Sequence, residues 1–153
     1  YNAMLYGYGL TTVERSPHYF PVDYLEKGYD ATVSWAKPDF KFKNETAYPV
    51  KIVAVCDNEE RSLTVSIMGT NLDGYSIQLT KTTAAYNNSK YPWLHEGWGV
   101  QVFRHVYDAN GIEVGVIQEI YDVYHTHEFA EQMKALEAQA AAMAAAGQVP
   151  AIY

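Results

Sequence analysis

One cysteine, Cys56, is all the sulfur chemistry of that kind the sequence offers. A lone thiol cannot close an internal disulfide and cannot build a Cys-based zinc centre. Long apolar runs are also missing: no stretch approaches the ~20 residues that a helix needs to span a bilayer. Positive charge is scarce. Eleven Lys and Arg stand against eighteen Asp and Glu, a net charge of −7, and no Lys/Arg-rich run occurs. Nucleic-acid affinity comes mainly from cations that neutralise phosphates, so no nucleic-acid partner is expected. There is no initiating Met and no signal-peptide pattern, so the sequence reads as a mature form or a fragment. Neither a phosphate-cradling Gly loop nor a Ser-nucleophile elbow is present.

What the chain does contain points to a packed β-rich domain. Apolar residues make up 48% of the 153, enough for one continuous core. Aromatics reach 14%, with fourteen tyrosines. Tyrosine combines a large contact area with a polar handle, which suits binding surfaces and wet sheets.

Residues 1–8 carry Tyr1, Met4, Leu5 and Tyr8 at helical spacing, and Gly7 and Gly9 then stop the helix. No Ser, Thr or Asp caps its start, so residues upstream are expected to continue it in the full protein. Residues 11–15 alternate as a strand. Pro17, Pro21 and Gly28 mark an irregular arm over residues 17–30. A second strand is expected over 31–36, with Trp35 in the core, before a turn at Lys37-Pro38-Asp39. Phe40 and Phe42 point inward and Lys41 and Lys43 outward. Residues 50–55 and 63–68 form a hairpin around Asp57–Glu60, which places Cys56 on a strand face as a buried, inert thiol. Residues 75–86 make a further strand. Residues 100–107 and 113–124 pair around Asp108-Ala109-Asn110-Gly111, because Asn-Gly accepts the positive φ of a tight turn. Residues 128–146 are the clearest helix: Phe129, Met133, Leu136, Ala140 and Met143 form its apolar stripe, Thr126 caps it, and Gly147 and Pro150 stop it. The expected fold is therefore α+β: a mainly antiparallel sheet with a packed N-terminal helix, a β-hairpin extension and a C-terminal Ala-rich helix.

A set of elements in the first half recurs in a known order. They are Tyr1-Asn2-Ala3, Val13-Glu14-Arg15 with Pro17-His18, Pro21-Val22 with Tyr24, Gly28-x-Asp30-Ala31, Val33-Ser34-Trp35, Asp39-Phe40-Lys41-Phe42-Lys43-Asn44 and Tyr48-Pro49. In these the sequence resembles the VanW-like family of bacterial envelope proteins, related to the vancomycin-resistance accessory protein VanW. The resemblance covers residues 1–70, with a looser likeness to glycine-marked β extensions over 71–126 and none over the helix and tail at 127–153. It implies an extracytoplasmic address, at the cell surface or secreted, often beside peptidoglycan-binding modules. In the family a Gly-rich segment with Cys-Gln usually precedes the Tyr-Asn-Ala element, and this sequence begins at Tyr1.

Three constellations could carry function. A thiolate on a helix preceding Tyr1 would need a base and an orienting carboxylate, and His18 and Asp30 are the candidates. The alternative for His18 is a ring bonded to a carbonyl within the arm. Tyr86, Tyr91, Trp93, His95 and Trp98 lie in a stretch rich in Asn, Ser and Gly, where aromatic faces could stack on sugar and amides could bond its hydroxyls; the alternative is a small satellite core. His125 and His127 stand at i, i+2 with Glu128 next, but no further ligand is evident, so no metal centre and no cofactor are expected. Glu59-Glu60 reads as a solvated hairpin tip. The favoured function is a binding or accessory module at the bacterial cell wall, with a wall polymer or peptidoglycan peptide as partner. One alternative is a cysteine-dependent envelope peptidase or acyl transferase whose Cys lies before Tyr1. Another is a structural subunit that self-associates through Phe129, Met133, Leu136 and Met143.

Overall fold

The computed structural model describes residues 1–87 and 90–147. Its elements run α1 (Asn2–Leu5), β1 (Leu10–Glu14), β2 (Lys41–Asn44), β3 (Lys51–Asp57), β4 (Ser62–Met68), β5 (Ser76–Tyr86), β6 (Gly97–Tyr107), β7 (Glu113–Gln118), β8 (Asp122–His125) and α2 (His127–Ala145). The fold is α+β and mainly antiparallel. β1 pairs with β2, β3 with β4, and β6 lies between β5 on one side and β7 and β8 on the other. The Asn110-Gly111 turn joins β6 to β7, with Gly111 at φ 77°. Asp108 Oδ1 accepts from the backbone of Asn110 (2.8 Å) and Ile112 (2.9 Å), which locks that turn.

β6 is the buried spine. Val100 and Val102 pack with Tyr124 in one cluster, and Met4, Leu5 and Leu10 form a second with Phe40, Phe42, Ile67 and Leu79 around it. Tyr29 packs against both clusters, so the arm over residues 17–30 bridges the two halves of the core.

The opening helix is shorter than its spacing predicts. α1 makes a single turn, and Tyr1 at its start contributes no side-chain cap. The chain leaves the helix at Tyr6 and turns at Gly9 (φ 71°), a conformation that glycine adopts without penalty. Residues 31–36 do not form the expected strand. Thr32 donates its N–H to the Ser16 carbonyl (2.8 Å), and Ser34 donates to the Pro38 carbonyl (2.9 Å). Pro17 has no N–H to continue a ladder beyond that first bond. Trp35 consequently stands fully exposed rather than in the core.

Cys56 is also exposed, contrary to the buried thiol expected from alternation. β3 and β4 form a two-stranded sheet of their own, in which only Val53 and Ile67 are half-buried. Alternation gives a strand two faces, but burial needs a second layer on one of them. At the other end, α2 forms as its periodicity predicts. Thr126 Oγ1 accepts from the Phe129 N–H (3.0 Å) and caps it. Phe129 is its buried anchor, while Met133, Leu136 and Met143 are half-buried. Gly147 follows the helix at φ 69°; Pro150 lies outside the described residues. Among the described residues no helix is long and apolar enough to cross a membrane.

Candidate active site

Arg15 leaves the end of β1 and enters the protein interior. Its Nη1 donates to both carboxylate oxygens of Asp122 on β8 (2.5 and 2.7 Å), and its Nε donates to the Asp30 carbonyl (2.7 Å). Its Nη2 is buried without a hydrogen bond, 3.8 Å from Asp30 Oδ1. The Tyr1 ring covers the guanidinium, with Cζ 4.3 Å from the ring centre. Asp30 sits at the end of the Pro-braced arm and is 1% exposed. Oδ1 accepts from the Tyr124 hydroxyl (2.5 Å). Oδ2 accepts from the His18 backbone N–H (2.8 Å) and lies 2.8 Å from His18 Nδ1. Tyr124 in turn accepts from the Gly28 N–H (2.7 Å). Gly28 (φ 92°) permits this approach: a Cβ there would lie 2.7 Å from Val102 Cγ2.

The electrostatics of the pair follow from this wiring. Burial works to raise the Asp30 carboxyl. The hydrogen bonds from Tyr124 and His18, with the charge of Arg15, outweigh it and hold Asp30 below the usual carboxylate range. An ionised carboxylate can only accept, so the His18 proton sits on Nδ1 and a neutral ring keeps its lone pair on Nε2. The His18 side chain is 30% exposed, in contrast to its carboxylate partner. Burial, helped by the Asp30 carboxylate, pushes the Tyr124 phenol up, which keeps it a donor.

A second guanidinium fixes the neighbouring segment. Arg104 on β6 donates from Nε to the Leu5 carbonyl (2.7 Å), from Nη1 to Leu10 (2.7 Å) and from Nη2 to Gly7 (2.6 Å). Its Nη1 also lies 3.3 Å from Glu119 Oε1. Glu119 Oε2 accepts from Thr12 Oγ1 (2.9 Å) and the Tyr1 hydroxyl (3.4 Å). Charges from beyond residue 70 therefore hold α1 and β1 beside the His18–Asp30 pair.

The expected aromatic site is divided. Tyr91 and Trp93 meet edge to face (5.7 Å), and His95 and Trp98 do the same (5.4 Å). Lys27 lies over the Trp98 ring at 4.6 Å, and that ring packs on the Val100–Tyr124 cluster. Tyr86, at the end of β5, stands opposite Gly97. Trp93 is 71% exposed and, with Leu94, faces Gln132, Ala135, Leu136 and Gln139 of α2 across a shallow groove of about 290 Å³. His125 stacks between Tyr19 (4.2 Å) and Phe129 (5.5 Å), and His127 stacks on Phe20 (3.9 Å). Both imidazoles thus tie α2 to the arm, and no cluster of three or more metal-ligating side chains occurs among the described residues. Sequence reasoning missed Arg15, Asp122 and Tyr124 as site residues. The one available signal was Asp122-x-Tyr124, whose period of two sets a carboxylate and a phenol on one strand face.

Residues 1–68 match the model of the family described as VanW like protein. Over 46 residues, 30% of this chain, the sequence is 48% identical to the uncharacterized protein YoaR of Bacillus subtilis (strain 168). That match spans 15% of the relative's length. No solved structure matches the chain.

Proposed function

We propose that this chain, whose residues 1–68 belong to the VanW-like family, acts outside the cytoplasm at the bacterial cell wall, on peptidoglycan-type peptides, with His18 as a general base oriented by Asp30. The observation that supports it is the 2.8 Å contact between His18 Nδ1 and a buried carboxylate that two further donors hold in place. Such a pair fixes the imidazole tautomer and stabilises the imidazolium that forms when Nε2 takes a proton. In an acyl transfer, Nε2 would remove the proton of the attacking nucleophile. The nucleophile would add to the peptide carbonyl, and the imidazolium would return the proton to the departing amine. Family resemblance suggests a thiol just ahead of the Tyr-Asn-Ala element, and the Tyr1 ring lies on Arg15, one contact from Asp30. Cys56 is a poor candidate, because it sits on the exposed β3–β4 hairpin with Asn58 as its neighbour (3.6 Å).

The test uses the full-length protein and purified wall peptides, with products followed by mass spectrometry. His18→Ala should reduce turnover by about 10²–10⁴-fold, the usual contribution of a general base. Turnover equal to wild type in that variant would end the base assignment. A second reading, a binding module without chemistry, draws on the exposed Trp93 above the α2 groove. It gains ground if the protein cosediments with sacculi, yields no product, and loses binding in Trp93→Ala.

A further inference from the structure

A second concave surface has none of His18, Asp30, Tyr124, Arg15 or Asp122 among its lining residues. It is a cleft of about 500 Å³ between the α1–β1 turn, the β2–β3 loop and the β4–β5 loop. We propose that this cleft binds a neutral, polyhydroxylated glycan chain.

Its walls are already in place. The Glu45 N–H donates to the Gly9 carbonyl (2.8 Å) and ties two of the loops together. Gly9 packs so closely on the β2–β3 loop that a Cβ there would lie 2.4 Å from Thr46 Cγ2. Arg104 pins the Gly7 and Leu10 carbonyls from beneath. In the third loop the Asn71 side chain accepts from the Tyr75 N–H (3.2 Å) and donates to the Tyr75 carbonyl (2.6 Å). A ligand entering such a cleft need not order its loops, a cost that otherwise subtracts from affinity.

The lining selects the ligand class. Tyr8 and Tyr48 remain 39% and 40% exposed. Tyr8 is held by stacking on Tyr75 at 4.2 Å, which presents an oriented aromatic surface. Rings of this kind pack against the C–H face of a pyranose, and their hydroxyls serve its polar edge. Thr11, Thr70 and Asp73 also line the cleft, with Leu72, Ile77 and Ile117 as its apolar part; hydroxyl and carboxylate groups are partners suited to sugar hydroxyls. None of the described residues lining the cleft is Lys, Arg or His, and the lining Glu45 is paired with Lys43 (3.0 Å). A phosphate-bearing or uronate polymer would meet the Asp73 carboxylate with no cation among the lining residues, which disfavours it.

Titration of the chain with a neutral N-acetylglucosamine oligomer, read by calorimetry and by tyrosine-ring NMR shifts, tests the assignment. Tyr48→Ala and Tyr8→Ala should each weaken binding by about tenfold, the scale of one aromatic anchor. Thr70→Arg should block the cleft sterically; this site is exposed, so circular dichroism should match wild type. A polyanionic oligomer, either a glycerol-phosphate chain or a uronate chain, should not bind. His18→Ala should bind the neutral oligomer as wild type does, which separates this site from the proposed base. No binding of the neutral oligomer, equal binding of the polyanion, or binding indifferent to Tyr8, Tyr48 and Thr70 would each overturn the proposal.

Discussion

Replacing Arg104 by Met measures how strongly the later strands hold the opening helix. Methionine keeps most of the apolar stem but removes every donor. Three carbonyls, of Leu5, Gly7 and Leu10, then lose a charged partner, and Glu119 loses its cation. A buried polar group left unpaired costs about 1–3 kcal/mol. Removing one member of a buried ion pair costs about 3–5 kcal/mol. These costs overlap. Glu119 keeps Thr12 and Tyr1 as donors, and the half-buried Gly7 carbonyl can turn to water. The expected loss is therefore about 3–5 kcal/mol in total, a large share of the ~5–15 kcal/mol that keeps a domain folded. For a chain of this size that corresponds to a fall in melting temperature of roughly 6–20 °C. Urea unfolding followed by tryptophan fluorescence gives the free energy directly. Glu119→Gln supplies the control: combined with Arg104→Met, it should be less than additive by at least about 0.5 kcal/mol. A loss below about 1 kcal/mol for Arg104→Met would refute the reasoning, because it would mean that the α1–β1 turn does not depend on the guanidinium.

Two further outcomes follow from the network and the cap. The Asp30 carboxyl titrates below its unfolded value of about 3.9, so its contribution is complete above that pH and is lost as pH falls through the folded value. The difference in unfolding free energy between wild type and Asp30→Asn should therefore be widest near neutrality and narrow below about pH 4; urea midpoints across the acid range measure it, and a constant difference contradicts the assignment. Thr126→Ala should cost about 1 kcal/mol and lower the far-ultraviolet helix signal through fraying at His127, and an unchanged melting curve would show that the cap bond is idle.

Local patterns made many elements legible. The Asn110-Gly111 turn, the alternation of Phe40 and Phe42, and the Thr126-capped stripe of α2 are written in neighbouring residues, because turn geometry and helix periodicity depend on a few consecutive side chains. The same logic failed at Trp35 and Cys56. Each lies in a β-like pattern, but the first belongs to a stretch that bonds back to Ser16 and Pro38, and the second to a hairpin with little over it. His18 and Asp30 could be singled out because Pro17, Pro21 and Gly28 mark an arm that holds its ends at defined places. Their actual contact, and Tyr124 completing it, could not.

Composition and periodicity were enough to establish a β-rich α+β chain, poor in cations and without a long apolar run. Those properties are sums or short-range repeats, and any window of the chain carries its share of them. Whether a given arginine would be a surface charge or the keystone of a buried cluster was a different matter. Arg15 finds Asp122 across 107 positions, and Arg104 finds Leu5 across 99. Desolvated charges are tolerated only where partners converge from several elements, and that convergence exists only once β6 and β8 are laid against the arm and the first helix.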